Sequence, residues 1–311
     1  MIVVFGAGAI GGFIAGALAR SGADVGVVAR GAHLAAIREN GLRVESVLGN
    51  FEVAIPAADD LREFDNPQYV LLTFKSHQWS GVLPQLERAV RSGATFLTLQ
   101  NGLPFWYSRD RALESVDPGG RIRAAIPYEQ VTGGVVHTSG MTPAPGHVKQ
   151  TGNVLYPIGE LDGSETARIV QIARIFEAAG LRATVERDIR RLVWRKLLGN
   201  LALNPVSALT GATVRAMLDD PPTRAVLRAI VEEGLAVARA AGVEIGVTAE
   251  ERLDMAMHIA DVKTSTLQDL EAGKPLELEP ICGATIEIAR RYGVPVPHIE
   301  TVYALTQLLA K

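Results

Sequence analysis

The sequence predicts an α/β fold: a Rossmann-type, doubly wound N-terminal domain followed by an all-α C-terminal domain. A glycine-rich turn directly follows a short apolar run at the N-terminus, and strand-like runs then alternate with helical patterns. From residue 188 onward the pattern is helical almost throughout. We therefore expect a nucleotide-binding domain over residues 1–186 and a helical domain for substrate binding over residues 187–311.

The opening segment carries the most informative motif. Ile2–Phe5 is typical of a buried parallel strand, and G-x-G-x-x-G follows it and opens a helical pattern. The first glycine permits a tight turn, the second lets the backbone approach a pyrophosphate, and the third allows close helix–strand packing. The free N–H groups of the helix favour phosphate. We expect the cofactor to contact Gly6, Ala7, Gly8, Ala9, Ile10 and Gly11.

A secretory signal and a membrane helix both fit this apolar opening less well. A secretory signal begins with basic residues, and none precedes Arg20. A membrane helix requires about 20 apolar residues in regular helix, and the glycines interrupt this run.

The end of the second strand indicates which dinucleotide is bound. NAD sites usually carry an acidic residue there, whereas NADP sites carry positive charge for the 2′-phosphate. The run "DVGVVAR" ends at Arg30, and its acid, Asp24, lies at the opposite end. A solvated loop arginine is the alternative, but arginine can bind phosphate with two hydrogen bonds. The sequence therefore predicts NADP.

The remaining elements follow from hydrophobic periodicity. Further strands are predicted over 69–74, 94–99, 122–126, 131–137, 154–158 and 181–185, with helices over 82–90 and 163–180. The Gly-, Pro-, Ser- and Thr-rich segment between 137 and 154 indicates strands and turns added at the sheet edge. In the second half, helices are predicted over 188–204, 221–241, 249–261, 264–273, 279–292 and 298–310.

Polar residues follow two of the predicted strands, where ligands bind in open α/β sheets. Lys75 ends one strand, and Asn101 with Gly102 ends the next. Asn-Gly is also an ordinary turn dipeptide. The aromatic run Phe105-Trp106-Tyr107 after it could roof a pocket or simply pack.

A polar stripe interrupts an otherwise apolar helix in "WRKLLGNLALNP". Lys196, Asn200 and Asn204 are spaced i, i+4 and i+8 and so share one face, and Pro205 is expected to end or kink the helix. Buried polar groups need partners, so the stripe forms either a helix–helix network or the lining of a cleft. Further on, Ser265 and Glu277 could by spacing alone be ordinary surface residues.

Composition excludes several classes of function. With 31 basic and 34 acidic residues, the net charge of −3 provides no strong field for nucleic acid or a membrane surface. The lone cysteine, Cys282, precludes an internal disulfide and suits the reducing cytoplasm. No metal site is expected.

Together these motifs resemble the ketopantoate reductase (2-dehydropantoate 2-reductase) family across nearly the whole chain. The resemblance is carried by the N-terminal glycine motif, "TFKS", "QNG", "WRKLLGNLALNP" and "STLQD" with a glutamate twelve residues beyond its serine. It implies a Rossmann NADP domain joined to a helical domain, with a small oxo-acid substrate in the cleft between them. A homodimer is left open, with the helical domain supplying the dimer surface.

The resemblance also implies roles for individual residues. Lys196 would be the general acid that polarises the carbonyl, and Glu277 would orient Lys196 or the substrate. Asn101 would lie near nicotinamide and substrate, Lys75 on the cofactor side and Arg30 at the 2′-phosphate. The substrate's hydroxyl and carboxylate would be held by Asn200, Asn204 and Ser265. An unperturbed lysine is already protonated at pH 7, so it needs no large pKa shift to serve as a general acid.

The implied reaction is NADPH-dependent reduction of a 2-oxo acid, most specifically 2-dehydropantoate to (R)-pantoate in pantothenate biosynthesis. Three departures from the family pattern bear on the substrate: the aromatic run at 105–107, the sequence Glu277-Leu278-Glu279-Pro280, and the stretch after Pro205, which lacks an asparagine that some members carry. A paralogous reductase or 3-hydroxyacid-type dehydrogenase acting on another oxo acid is therefore the alternative, and a non-catalytic NADPH sensor is a third.

Overall fold

The computed structural model describes residues 1–257 and 261–311, which divide into two compact units. The first unit comprises Met1–Gln100 and Arg121–Ile189, and the second comprises Asn101–Gly120 and Arg190–Lys311. The division after residue 189 is close to the predicted one after 186. The chain differs from that prediction over 101–120, because apolar side chains of this segment pack against helices of the second unit.

The first unit consists of two sheets with helices between and around them. Its strands are β1 (Ile2–Phe5), β2 (Val25–Val28), β3 (Leu42–Glu45), β4 (Phe51–Val53), β5 (Ala57–Ala58), β6 (Tyr69–Leu72), β7 (Thr95–Thr98), β8 (Val131–Gly134), β9 (Thr138–Ala144), β10 (His147–Gly152), β11 (Leu155–Glu160) and β12 (Arg182–Val185). Its helices are α1 (Ala9–Arg20), α2 (Gly31–Asn40), α3 (Trp79–Arg91), α4 (Arg121–Ala125) and α5 (Ala167–Ala178).

The main sheet has eight strands in the order β12-β11-β8-β7-β6-β1-β2-β5. Neighbours run parallel except for the antiparallel pair β8 and β11. Strand β1 lies between β2 on one side and β6 on the other, and the strand order reverses there. The carboxyl end of β1 is therefore a topological switch point. The predicted doubly wound fold class is confirmed.

Four strands form a separate sheet in the order β4-β3-β10-β9. It packs on α1 where that helix carries glycine: a Cβ on Gly12 would lie 2.8 Å from Val148 Cγ1, and one on Gly16 2.7 Å from Val44 Cγ2. The segment between 137 and 154 does form strands, but the prediction that they extend the main sheet is wrong. Strand β9 pairs with β10, and β10 pairs with β3, which periodicity did not identify.

The predicted strand over 122–126 is also wrong, because the chain forms α4 there. Ile122 and Ile126 are both buried, and their i, i+4 spacing places them on one face of a helical turn. A short apolar run cannot be assigned to strand or helix by composition alone.

The second unit is helical. Its helices are α6 (Ile189–Thr210, beginning at the unit boundary), α7 (Val214–Asp219), α8 (Pro221–Ala240), α9 (Ala249–Met257), α10 (Ser265–Glu271), α11 (Ala284–Tyr292) and α12 (Pro297–Leu309), and a π-helical turn at Glu279–Gly283 leads into α11. The predicted end of α9 at residue 261 cannot be compared, because 258–260 lie outside the described residues.

Helix α6 continues through Pro205 to Thr210, although the proline was expected to end or kink it. Every residue from 201 to 208 is buried, so packing on both sides offsets the hydrogen bond that proline removes. Within the described ranges, no helix is both long and apolar enough to span a bilayer.

Candidate functional site

The glycine turn after β1 requires a backbone that only glycine adopts freely. Gly6 has φ +111°, and a Cβ there would lie 2.7 Å from the backbone nitrogen of Phe74. Its N–H donates to the carbonyl of Val28 at 3.0 Å, which ties the turn to the end of β2. The turn therefore runs close across the carboxyl ends of β1, β2 and β6.

The second and third glycines of the motif serve different purposes. Gly8 precedes the first residue of α1, is exposed, and has no protein atom within 4 Å of the position a Cβ would take. The space beside the free N–H groups at the start of α1 is thus open, which fits a pyrophosphate. A Cβ on Gly11 would instead overlap the carbonyl of Gly6 and the hydroxyl of Thr73.

Thr73 and His33 support this turn, and the motif did not reveal either. The Thr73 hydroxyl donates to the carbonyl of Gly6 at 2.8 Å. His33 lies on α2, and its Nδ1 accepts the N–H of Gly146 at 2.9 Å. The proton of the neutral ring is therefore on Nε2, which donates to the carbonyl of Ala7 at 2.7 Å. Burial lowers the His33 pKa, which favours this neutral ring. The only sequence signals were a polar residue after β6 and a histidine three residues beyond Arg30.

The other expected cofactor residues lie at strand ends of the same unit. Arg30 is exposed at the position preceding α2, and Gly31 beside it has φ +55°. No acidic residue lies between the end of β2 and the start of α2. Lys75 follows β6, is half-buried, and its backbone N–H donates to the Gln78 side chain at 3.2 Å.

In the second unit, three of the expected site residues come together from distant parts of the chain. Lys196 Nζ on α6 donates to Asn101 Oδ1 at 2.6 Å. The amide of Asn101 donates in turn to Glu277 Oε2 at 3.4 Å. A lysine has three N–H donors, so the contact with Asn101 leaves two for another acceptor.

The charge state of Lys196 is set by two opposing influences. Burial lowers its pKa to about 8, and the negative charge of Glu277 raises it in partial compensation. The acid role needs no large shift, but the buried setting of the amine produces one. A lysine with this pKa is still roughly nine-tenths protonated at pH 7, and it releases its proton more readily than an exposed lysine.

A close backbone contact holds Asn101 in place. Gly102 has φ +81°, and a Cβ there would overlap the carbonyl of Pro280. That carbonyl also accepts the N–H of Leu103 at 2.7 Å. The Asn-Gly dipeptide is thus a turn fitted against the segment that carries Glu277.

The aromatic run after this turn packs rather than roofing a pocket. Phe105, Trp106 and Tyr107 are all at least nine-tenths buried. The indole N–H of Trp194 donates to the Tyr107 hydroxyl at 2.6 Å, and the Arg190 guanidinium lies 5.7 Å from the Trp106 ring. These contacts fasten residues 101–120 to α6, which also carries Lys196.

The two asparagines of α6 and Ser265 differ in setting. Asn204 is 6% exposed, and Asn200 is half-buried. Within the part of the chain that the structure describes, neither side chain makes a hydrogen bond. Ser265 is exposed at the first residue of α10, and Thr264 caps that helix. The structure records no contact that joins Ser265 to the cluster of Lys196, Asn101 and Glu277.

Comparison with known proteins covers both units. The family model described as "Ketopantoate reductase PanE/ApbA" matches residues 2–163, and the one described as "Ketopantoate reductase PanE/ApbA C terminal" matches residues 188–310. The 2-dehydropantoate 2-reductase of Mesorhizobium japonicum is 38% identical over 317 residues, covering 99% of this chain and 97% of that protein.

Solved structures agree with this assignment. A protein from Ralstonia solanacearum, provisionally described as a ketopantoate reductase, superposes with a TM-score of 0.94 at 34% identity, covering 99% of this chain and 97% of the other. D-mandelate dehydrogenase with NADH and anilino(oxo)acetate has a TM-score of 0.87 at 21% identity, covering 100% and 98%, and shares the fold. The chain belongs to the ketopantoate reductase family of oxidoreductases.

Proposed function

We propose that this protein reduces a 2-oxo acid, most specifically 2-dehydropantoate to (R)-pantoate, with NADPH as the reductant. The observation that carries this proposal is the cluster of Lys196, Asn101 and Glu277, in which a lysine with a pKa of about 8 keeps two N–H donors for a ligand. The 38% identity to a named 2-dehydropantoate 2-reductase supports the choice of substrate.

Lys196 would act on the carbonyl oxygen of the substrate. Negative charge develops on that oxygen during reduction, and a protonated amine stabilises it and then supplies the proton. Asn101 directs one N–H of the amine, and the negative charge of Glu277 raises the pKa of the amine, which favours its protonated form. Asn200 and Asn204, on the same face of α6, would offer amide groups to the substrate's hydroxyl and carboxylate, with Ser265 as the third expected contact.

The cofactor proposal concerns the first unit. The open space at Gly8 and the start of α1 would hold the pyrophosphate, Arg30 the 2′-phosphate, and Lys75 the cofactor side of the site. When bound, NADPH supplies the hydride. We place the enzyme in the cytoplasm because its one cysteine is a buried free thiol.

The lysine proposal is tested by steady-state kinetics. We expect Lys196→Ala to lower kcat on 2-dehydropantoate by about 10²- to 10⁴-fold while leaving the Kd for NADPH within about twofold. Lys196→Arg keeps the charge but releases no proton, so it should also be slow. Lys274→Ala, an exposed lysine of the same unit, is the matched control. A loss of less than tenfold in Lys196→Ala would exclude Lys196 as the general acid.

The substrate and cofactor are tested together by following NADPH oxidation at 340 nm. 2-Dehydropantoate is compared with 2-oxoisovalerate and an acetoacetate-type β-keto acid, each with NADPH and with NADH. Efficient turnover of 2-dehydropantoate with NADPH alone is expected. Preference for another oxo acid would indicate the paralogous reductase, and NADPH binding without any turnover would indicate a sensor. Arg30→Asp should weaken NADPH binding and spare NADH.

A further inference from the structure

Arg252 of the second unit has an unusual setting that the lysine cluster does not use. It lies on α9, and its guanidinium rests directly over Gly199 on α6. A Cβ at position 199 would overlap Nη2 and would lie 2.6 Å from Cζ and 3.3 Å from Nη1. The glycine therefore makes the space that the guanidinium occupies.

The guanidinium is half-buried and has few protein partners. Nε donates to the carbonyl of Arg195 at 3.3 Å. Nη1 and Nη2 donate to no acceptor, and no carboxylate pairs with Arg252, anywhere in 1–257 or 261–311. By contrast, Arg224 on the neighbouring helix α8 contacts both Glu250 and Asp254 of α9.

This arrangement favours an anion beside the guanidinium. Burial lowers the Arg252 pKa, and the adjacent charge of Arg195 lowers it further. A desolvated charge is stable only when a partner of opposite charge satisfies its hydrogen bonds. A guanidinium with both terminal nitrogens available matches the two oxygens of a carboxylate.

The position of the guanidinium relates it to Lys196. Gly199 is three residues after Lys196 on α6, and residues so spaced are neighbours on a helix surface, about 5–6 Å apart at their Cβ positions. In a 2-oxo acid the carboxylate is bonded directly to the carbonyl carbon. We propose that Arg252 binds the carboxylate of the 2-oxo acid whose carbonyl lies at Lys196, and that Gly199 is required to admit its guanidinium.

This inference rests on the proposed function and makes Arg252 a specificity residue for α-keto carboxylates. It also redistributes the expected substrate contacts. With the carboxylate on Arg252, the amides of Asn200 and Asn204 are left for the hydroxyl and other polar groups of the substrate.

The test measures binding rather than turnover, so that it does not depend on catalysis. Pantoate and its neutral primary amide are titrated calorimetrically into protein saturated with NADP. Wild type should bind the acid at least about 10-fold more tightly than the amide. Arg252→Gln should lose roughly 10- to 100-fold in affinity for the acid and little for the amide.

Two further variants separate the proposal from general effects. Arg195→Gln removes a neighbouring charge but keeps the carbonyl that holds Arg252, so its affinity for pantoate should stay within about threefold of wild type. Gly199→Ala keeps every charge and favours helix, yet displaces the guanidinium, so it should reduce the preference for acid over amide. Thermal unfolding and the Kd for NADPH verify that each variant is folded.

Three results would overturn the carboxylate site. The first is an Arg252→Gln variant that binds pantoate as tightly as wild type. The second is an Arg252→Gln variant that loses as much affinity for the amide as for the acid. The third is an Arg195→Gln variant that loses as much affinity for pantoate as Arg252→Gln does. The carboxylate site would also be overturned if the wild-type protein bound none of pantoate, 2-hydroxyisovalerate and 3-hydroxybutyrate. Failure of the proposed function has a different signature: carboxylates bind in an Arg252-dependent way, but no oxo acid is reduced.

Discussion

The pKa of Lys196 results from competition between two local effects. Burial removes water from the ammonium group and favours the neutral amine, while Glu277 favours the charged form. The result, about 8, lies close enough to neutral pH for the amine to be protonated before the reaction and to give up its proton during it. The position in α6 alone did not indicate this shift.

The pH dependence of the reaction should follow this balance. The proposed mechanism uses protonated Lys196, so kcat/KM should fall as pH rises through about 8. Glu277→Gln removes the charge that raises the Lys196 pKa, so the basic limb should move to lower pH. Glu279→Gln is the matched control, because Glu279 accepts instead from Tyr303 at 2.6 Å. A basic limb that stays in place in Glu277→Gln would contradict the assignment.

His33 allows the support of the glycine turn to be dissected. In His33→Gln the amide N–H can still reach the carbonyl of Ala7, whereas in His33→Asn the amide oxygen can still accept from Gly146. We expect His33→Asn to weaken NADPH binding by about 5-fold and His33→Gln by less, since one neutral hydrogen bond is worth about 1 kcal/mol. Fluorescence titration with NADPH measures both. Equal affinities in wild type and both variants would show that the ring does not position the turn.

Among the elements, the turn at 101–103 positions Asn101 in the cluster. Its left-handed glycine and its hydrogen bond to Pro280 bring Asn101 to Lys196 and Glu277. The buried aromatic run that follows holds the same segment against α6. Two of the segments that depart from the family pattern thus adjoin this turn: 105–107 follows it in the chain, and Pro280 of 277–280 accepts the N–H of Leu103.

Gly102→Ala should therefore damage activity more than stability. The added methyl group meets the backbone of Pro280, which cannot move aside as a flexible side chain could. We expect kcat to fall at least about 10-fold, with a loss of about 1–3 kcal/mol in the free energy of unfolding.

Gly119→Ala is the control for backbone strain alone. Gly119 has φ +66° in the same segment, but a Cβ there would have open space. It should cost only about 1–2 kcal/mol of stability and leave kcat unchanged. Similar kcat values in the two alanine variants would contradict a positioning role for Gly102.

Elements with long, regular patterns were the ones that periodicity identified well. Strands β1, β2, β6 and β7 and the long helix α8 lie close to their predicted positions, and α6 begins where predicted but extends past its predicted end. Other elements were missed or misassigned: β3, β4, β5, α7 and the ten-residue α2 were not identified, and α4 was taken for a strand. Their residues owe their conformation to the neighbours they pack against, which a local pattern does not contain.

At the scale of the whole molecule, the buried charge of Lys196 lowers the stability of the folded chain. Its pKa is about 8 in the folded chain and about 10.4 when unfolded, so the folded state binds fewer protons between these pH values. Keeping the amine charged in its buried position at pH 7 costs free energy of folding. This cost is part of the proposed catalytic arrangement.

Lys196→Met should accordingly be more stable than wild type at pH 7, by about 1–3 kcal/mol. The sign follows from linkage: wild type gains stability relative to the variant as pH rises from about 8 to about 10.4, where the unfolded chain releases its proton. Urea unfolding of both proteins at pH 7 and pH 10 measures the difference. A stability difference that does not shrink with rising pH would contradict a lowered pKa.

The sequence by itself determined the fold class, the dinucleotide turn and the face shared by Lys196, Asn200 and Asn204, because each depends on local spacing. Only the tertiary structure decided that residues 101–120 belong with the helical unit, that Lys196 meets Asn101 and Glu277, and that Arg252 lies over Gly199. Contacts between residues far apart in the chain depend on packing. Burial, which sets the pKa of Lys196, exists only once that packing has formed.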